Sequence, residues 1–480
     1  MKVTDFMPKG ENTIDALIEN LRKRERPLPD VELFKKQLNP MDHDVMDQNL
    51  RRDKDIIVEK YKKGANGKMD VYEEAAKEKV NRIALALQKL VVERAIAFLF
   101  GNDPKMSGDV NSDIEKLVFN IVSKIKKANK TRSTNRRVAR ALFSATEVAE
   151  YWFAVPAERY TKYGVSTSYK LRHKIYSPLA GYKLYPRKDE TGDMVAFSLE
   201  YTRVEGNVST TYFEAYTDEE KMVFTRDSLS ANDWRFKERR PIPIGKIPFI
   251  YAEQPQVEWA DVQILIERLE KLLSNFADTN DYHASPKIFI EGILKGFAKK
   301  GDAGAILQGE KGSKASYLSW DHAPESVRLE IETLLGQIFS LTQTPNISFD
   351  SVKGLGAISG IALKLLFLDA HLKVKNKEET FTEYLQRRNS IILSYAGLLH
   401  TPIQSTAHEM DLDDEIEPYM IEDLKEMVDT LLAANGNQPV ISHEQSVRRS
   451  PLTDNPEDDY RKIQEETKAR QTVDVFEETF

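Results

Sequence analysis

The chain has 480 residues, 41% of them hydrophobic and 30% charged, more than one small core needs, which points to two to four domains. Its 69 Lys and Arg against 76 Asp and Glu leave a formal charge of −7, so it does not grip nucleic acid over its whole surface and any contact with DNA has to be local or loose. With no cysteine, disulfides, thiolate zinc sites, iron–sulfur clusters and cysteine nucleophiles are excluded together.

The opening MKVTDFMPKGENT lacks the apolar core of a secretory signal, because Asp5, Lys9 and Glu11 interrupt each candidate run. Up to about residue 70 the chain is charge-dense, with Arg22, Lys23, Arg24 and Arg26 and then Arg51, Arg52, Lys54, Lys62 and Lys63, a pattern of short helices and linkers. From Val71 onward Val80, Ile83, Leu87, Leu90, Val91, Arg94 and Phe98 fall at helical spacing, and Gly101 with Pro104 supplies a stop, which predicts an amphipathic helix. Its charged positions, Lys89, Glu93 and Arg94, suit a helix face and would be costly in a bilayer, so no membrane span is predicted. A second helix over Asp113 to Lys127 leads into the densest basic run, Lys130, Arg132, Arg136, Arg137 and Arg140. These cations either bind phosphate or form a solvated helix face paired with acidic neighbours.

Between Tyr151 and Tyr251 β-branched and aromatic residues gather in short runs (Met194 to Thr202, Ser209 to Tyr216, Lys221 to Phe224) separated by turn residues, which predicts antiparallel sheet. Pro241, Pro243, Gly245 and Pro248 close it. Val262, Leu265, Ile266, Leu269, Leu272, Leu273 and Phe276 then predict a helix to about His283. Strand-like Lys287–Ile290 and Tyr317–Trp320 enclose a Gly/Lys-rich stretch, and from Pro324 a third helix carries Val327, Ile331, Leu334, Leu335 and Ile338 on one stripe. Helix, insert and helix make a projecting unit. Thr342 to Gly360 has the small polar, Gly and Pro content of a loop. From Ile361 a helical pattern runs to about His400, a rod of about 60 Å at 1.5 Å per residue. The last eighty or so residues begin with an acidic stretch, continue with a helix over Tyr419 to Ala434 and end polar. The chain therefore reads as α+β and multi-domain: mainly helical, with an antiparallel β-rich region, a small α/β insert between two helices and one helix of about 40 residues.

Catalytic signatures are missing. Gly245-Lys246 precedes Ile247 instead of Ser or Thr, and Gly309-Glu310-Lys311-Gly312-Ser313-Lys314 lacks the glycine spacing of a phosphate-binding loop. No His-Glu-x-x-His pair or Gly-x-Ser-x-Gly elbow occurs, and His400 and His408 read as surface residues. Asp411, Asp413 and Asp414 lack the glycine turn and closing Glu of a calcium loop and read as a solvated acidic face. Lys295, Lys299, Lys300, Lys311 and Lys314 form either a partner-binding surface or a soluble loop.

Several stretches resemble, in order and spacing, the tailed-bacteriophage portal proteins of the SPP1 type. Asn81-Arg82-Ile83 through Leu99-Phe100-Gly101-Asn102-Asp103-Pro104 is similar to the family's early helix and its stop. Lys246-Ile247-Pro248-Phe249-Ile250-Tyr251 resembles the segment leading into the first stem helix, and Ile264 to Ala277, with Leu272-Leu273-Ser274-Asn275, resembles that helix. Ser359-Gly360-Ile361-Ala362-Leu363-Lys364 is similar to the start of the long helix, and Asp454-Asn455-Pro456-Glu457 with Tyr460 and Ile463 to Glu466 to the acidic segment near the end. The N-terminus departs from the pattern, and so does Pro243-Ile244-Gly245, where the family commonly has His-x-Phe-Gly.

The resemblance implies a non-enzymatic subunit of a twelve-membered ring at a capsid vertex of the virion, assembled in the bacterial cytoplasm. Double-stranded DNA would pass through it, and the ring would bind terminase, a head-completion or adaptor protein, and the major capsid and scaffolding proteins. It implies an N-terminal arm (1–70), a wing (71–256), stem helices (257–283 and 323–341) around a clip (284–322), a channel loop (342–360), a long wing helix (361–400) and a crown with tail (401–480). Thr344, Asn346, Ser348, Lys353, Gly354, Gly356 and Ser359 would then line the channel, and the clip lysines named above would meet partners. Leu265, Leu269, Leu272, Ile331, Leu335, Leu365 and Leu368 would contact neighbouring subunits, whose copies complete the apolar stripes. No metal or cofactor is implied. The alternative from the residues alone is an intracellular nucleic-acid-processing enzyme using the basic run from Lys124 to Arg140 as its DNA face.

Overall fold

The computed structural model describes the chain except residues 12, 64–68, 228–232, 284–286, 292–293, 297–307, 310–313, 319–322, 347–364, 366, 421–423, 437–438, 451, 454 and 478–480. The fold is α+β, in two compact units: Met1–Thr344 with Leu372–Pro418, and Pro345–His371 with Tyr419–Phe480.

In the first unit, Thr13 caps α1 (Ile14–Leu21) by accepting the Ala16 N–H, and Asp30 caps α2 (Val31–Leu38) by accepting that of Leu33. A hairpin follows, β1 (Lys54–Lys63) antiparallel to β2 (Met69–Glu78), with Lys54 opposite Glu78. This corrects the sequence reading twice. The charge-dense arm contains a long strand, and the helical spacing after Val71 does not start a helix there. Val80 and Ile83 lie in an irregular segment, and α3 runs only from Leu87 to Phe100. Gln88, Val91, Val92, Ala95, Ile96, Phe98 and Leu99 are all buried, so α3 is a core helix with little polar face.

After the short strand β3 (Lys105–Ser107), α4 (Asp113–Ala128) opens with a reciprocal capping box between Ser112 and Glu115. Lys130, left-handed at φ 54°, turns the chain into α5 (Thr131–Ala145).

Eight strands follow: β4 (Glu147–Tyr160), β5 (Thr167–Tyr176), β6 (Lys183–Lys188), β7 (Met194–Glu205), β8 (Val208–Tyr216), β9 (Glu220–Asp227), β10 (Arg235–Pro241) and β11 (Phe249–Glu253). They form a three-stranded sheet, β11-β4-β5, and a five-stranded meander, β10-β9-β8-β7-β6, all antiparallel. Period-two alternation sends Ala196 to a core with Leu17, Ile18, Leu21 and Trp234. Its neighbours Phe197 and Leu199 point to the other face, against Ala149, Tyr176 and Phe249. Both faces of β7 are therefore covered, which is why Ala196 to Glu200 are buried without a break.

Helix α6 (Gln263–His283) comes next, then β12 (Lys287–Glu291), β13 (Leu294–Gly296), β14 (Gln308–Gly309) and β15 (Lys314–Leu318), and α7 (Ala323–Leu341). Among the described residues the insert is β only. The long helix α8 covers Leu368–Leu399, 32 residues, or about 48 Å. Phe381, Tyr384, Leu385, Arg388, Asn389, Ile391 and Ile392 are buried, so the second half of the rod is core of the subunit itself and owes nothing there to neighbouring copies. After α9 (Gln404–Glu409), β16 (Asp413–Glu415) pairs with β3. Of the acidic stretch, Asp411, Asp413 and Glu415 are exposed as expected, whereas Asp414 is buried.

The second unit holds α10 (Leu424–Ala434), α11 (His443–Arg449) and α12 (Pro456–Glu477), extending the one helix expected here to three. Asn435 donates from Nδ2 to Ser446 Oγ, and the His443 and Tyr460 rings meet edge to face.

Candidate functional site

Helices α6 and α7 flank the insert. Ile266, Leu269, Leu272, Leu334 and Ile338 are buried, and Arg268 pairs with Glu330 at 2.6 Å on the outside. The insert leaves and returns through neighbouring strands, Lys287 opposite Leu318 and Glu291 opposite Lys314. An irregular segment has backbone donors that need acceptors, and α6 supplies them for Asn81 to Leu85. The Asn81 N–H donates to Asp278 Oδ1 (2.6 Å), that of Ile83 to Ser274 Oγ (2.9 Å), and that of Leu85 to Glu270 Oε1 (2.8 Å). Glu270 also holds His43, 2.7 Å away. Burial works against charge on that imidazole, but Glu270 and the Gln37 carbonyl raise its pKa above the usual value. The Asn81-Arg82-Ile83 and Leu272-Leu273-Ser274-Asn275 motifs, far apart in sequence, are therefore one contact.

Where α7 ends, Thr342 Oγ1 donates to the Ile338 carbonyl at 2.7 Å, Gln343 turns left-handed at φ 50°, and the Thr344 N–H donates to the Phe339 carbonyl at 2.8 Å. Lys373, on the far side of the predicted channel loop, donates to the Thr342 carbonyl at 2.9 Å and pairs with Glu258 at 2.8 Å. Lys377, one turn further on, also pairs with Glu258 and lies over the Phe143 ring at 4.9 Å. Burial alone would raise the Glu258 pKa, yet the two ammonium groups hold it below the ordinary carboxylate value, and burial lowers that of Lys373. One carboxylate thus ties the first half of α8 to the approach of α6, and Lys373 joins both to the end of α7 through the Thr342 carbonyl.

A second buried carboxylate anchors α8 to the three-stranded sheet. Glu150 on β4 accepts from Arg388 (2.6 Å), Tyr384 (2.9 Å) and the Trp152 indole (2.7 Å). Burial opposes its charge, but Arg388 keeps its pKa below the usual value. Asn135 on α5 accepts from Arg388 as well. Nearby, Lys126 pairs with Asp414 at 2.6 Å, and Asn389 donates to Asp414 at 3.0 Å.

Of the predicted channel residues, Thr344 is buried in the loop root and Asn346 is exposed, while Ser348, Lys353, Gly354, Gly356 and Ser359 lie outside the described residues. Lys314 is exposed on β15 and Lys295 lies on β13; Lys299, Lys300 and Lys311 are outside the described residues. Leu269 and Leu272 are buried within the subunit, Leu265, Ile331 and Leu335 are half-buried, and Leu365 and Leu368 are 67% and 49% exposed. Most of the basic run is used internally: Arg136 donates to the Phe100 and Gly101 carbonyls at the end of α3, Arg140 pairs with Glu93 and Arg132 with Asp103. Sequence reading missed Glu258 and Glu150. The available signals were paired cations or donors at i, i+4 on α8, Lys373 with Lys377 and Tyr384 with Arg388, each pair needing one anion between them.

The buried ion pairs each join elements of the chain to one another within a multi-domain α+β fold that carries a helix-flanked β insert. The family model described as phage portal protein, SPP1 Gp6-like, matches residues 21–473. The chain belongs to this family of phage portal proteins. No curated protein matches the sequence. Solved structures similar to it include the neck of an empty gene transfer agent particle computed with C6 symmetry, at 11% identity over 76% of this chain and 89% of that one, TM-score 0.41. The neck of the native particle computed with C12 symmetry (TM-score 0.39) and the native virion (0.37) each align at 11% identity over 76% of this chain and 88% of theirs.

Proposed function

We propose that this chain forms a ring, twelve copies around a channel, at one capsid vertex, through which double-stranded DNA is packaged and ejected. The family match over residues 21–473 carries this reading. On it, the arm (1–70), wing (71–256), stem (257–283 and 323–341), clip (284–322), channel loop (342–360), long helix (361–400) and crown (401–480) take the places the family implies. The loop reaches the lumen, and the Lys373–Glu258 pair holds its root at the end of α7. The clip, with Lys314 exposed, meets terminase during packaging and a head-completion protein afterwards, and the ATPase belongs to another protein. Leu365 and Leu368, exposed in the subunit, are covered by neighbouring copies. Duplex DNA carries one charge per about 1.7 Å and would stick in a basic channel through counterion release, so the mild acidity of the chain favours sliding. Negative-stain microscopy of the purified protein tests the proposal: rings are expected, and a strictly monomeric species at micromolar concentration would overturn it. Deleting Ser348 to Gly356 is expected to reduce packaging while leaving rings intact; unchanged packaging removes the loop's role.

A further inference from the structure

The geometry points to a second DNA contact, a phosphate-binding cleft on the wing between α4, α5 and the α3–β3 turn, separate from the channel. The cleft has a volume of about 660 Å³. Its walls carry Lys126, Lys127, Lys130, Arg132 and Arg136 against the carboxylates of Asp103 and Asp414. Lys126 is neutralised by Asp414, Arg132 by Asp103, and Arg136 is spent on carbonyls of the α3 end. Lys127 and Lys130 are exposed and have no partner among the described residues. They stand where the basic run turns from one helix into the next. The first turn of α5 contains no acidic residue and its N-cap side chain makes no capping bond, so cations surround the positive end of a fifteen-residue helix. Like charges so placed repel one another and are relieved by an anion in the cleft.

The lining also selects the kind of polyanion. No Phe, Tyr or Trp is among it, so bases of a single strand have nothing to stack on, and there is no aromatic anchor of the kind that dominates protein–protein hot spots. Cations on flexible stems in an open cleft suit the backbone of a duplex, which they contact without reading sequence. Lys127, Lys130 and Arg132 are the contacting residues, Arg132 exchanging Asp103 for phosphate. The inference rests on the portal reading only for why a duplex is at hand.

The test uses the full-length chain and a short DNA duplex of mixed sequence, with affinity followed by fluorescence anisotropy across about 50 to 200 mM salt. Lys127→Gln/Lys130→Gln/Arg132→Gln is expected to bind at least tenfold more weakly at the low-salt end, with a log–log salt slope shallower by about 2 to 3. Lys127→Arg/Lys130→Arg should bind like the parent. Acetylation footprinting provides the second readout: duplex is expected to protect Lys127 and Lys130, and poly-glutamate much less. An unchanged salt slope in the triple variant overturns the proposal. So does equal protection by poly-glutamate, which would assign the cleft to an acidic protein, or protection by inorganic phosphate with none by the duplex. Ring formation is scored separately by microscopy, so a parent chain that binds through the cleft but forms no rings would count against the portal reading alone.

Discussion

Replacing Glu150 by Leu removes the carboxylate on which Arg388, Tyr384 and Trp152 converge. Arg388 and Glu150 are 1% and 0% exposed at their side chains, so the variant leaves a guanidinium in the core without its counter-ion, at a cost of about 3 to 5 kcal/mol. The first unit has roughly 400 residues and an unfolding entropy near 2.1 cal/mol/K per residue, so about 4 kcal/mol corresponds to a fall in Tm of about 5 °C. The second half of α8 should loosen with it, because the same pair ties that helix to β4. Differential scanning fluorimetry measures the shift, and hydrogen exchange of peptides around Arg388 localises it. The double variant Glu150→Leu/Arg388→Met replaces the ion pair by apolar groups and should recover more than half of the loss. A Glu150→Leu protein melting within about 1 °C of the parent would refute the reasoning, since the pair could then not be a buried, mutually dependent one. Because Arg388 depresses the folded-state pKa of Glu150, the contribution is present above the ordinary carboxylate value and is lost as pH falls through the depressed one.

Glu258→Gln should release the loop root, leaving Lys373 buried without its anion, and speed hydrogen exchange in peptides covering Thr342 to Thr344 and Leu372 to Val374 by tenfold or more; exchange equal to the parent would mean that the clamp does not hold the loop. The His43 pKa is raised in the fold, so its charge contributes fully below the unfolded value near 6.5 and the contribution fades as pH rises through the raised value. Tm should therefore fall on going from about pH 6 to 8.5 by more in the parent than in His43→Gln, and parallel curves would contradict it. Leu269→Ala, at a buried position on α6, should cost the subunit about 2 to 5 kcal/mol, read as a lower Tm. Leu368→Ser, at an exposed one, should leave subunit stability within about 0.5 kcal/mol and reduce the fraction of rings in sedimentation.

Local pattern was enough to place α4, the strands β7, β8 and β9, and the helices on either side of the insert, because in each of them the apolar spacing and the turn residues agree. It misplaced the start of α3. Val80 and Ile83 match a helical period by position, but their segment is held irregular by Ser274, Glu270 and Asp278 on α6, acceptors some two hundred residues away that no local window contains. The hairpin β1–β2 was hidden by its charges, since a ribbon with lysines and glutamates along both strands shows little of the alternation that marks a half-buried strand.

The order of helix, insert, helix and rod, together with the short motifs along it, was written in the sequence, and so was the class of protein, because element lengths and stops depend on neighbours within a few residues. What the tertiary structure decided was which charges are spent inside. Asp414 left the acidic face to meet Lys126, Arg136 left the basic run to satisfy carbonyls of α3, and Glu258 and Glu150 each became the one anion between cations or donors from distant elements. A charge in sequence carries no sign of its burial, since the energy of an ion depends on the dielectric around it and on the partner that the fold brings within a few ångströms.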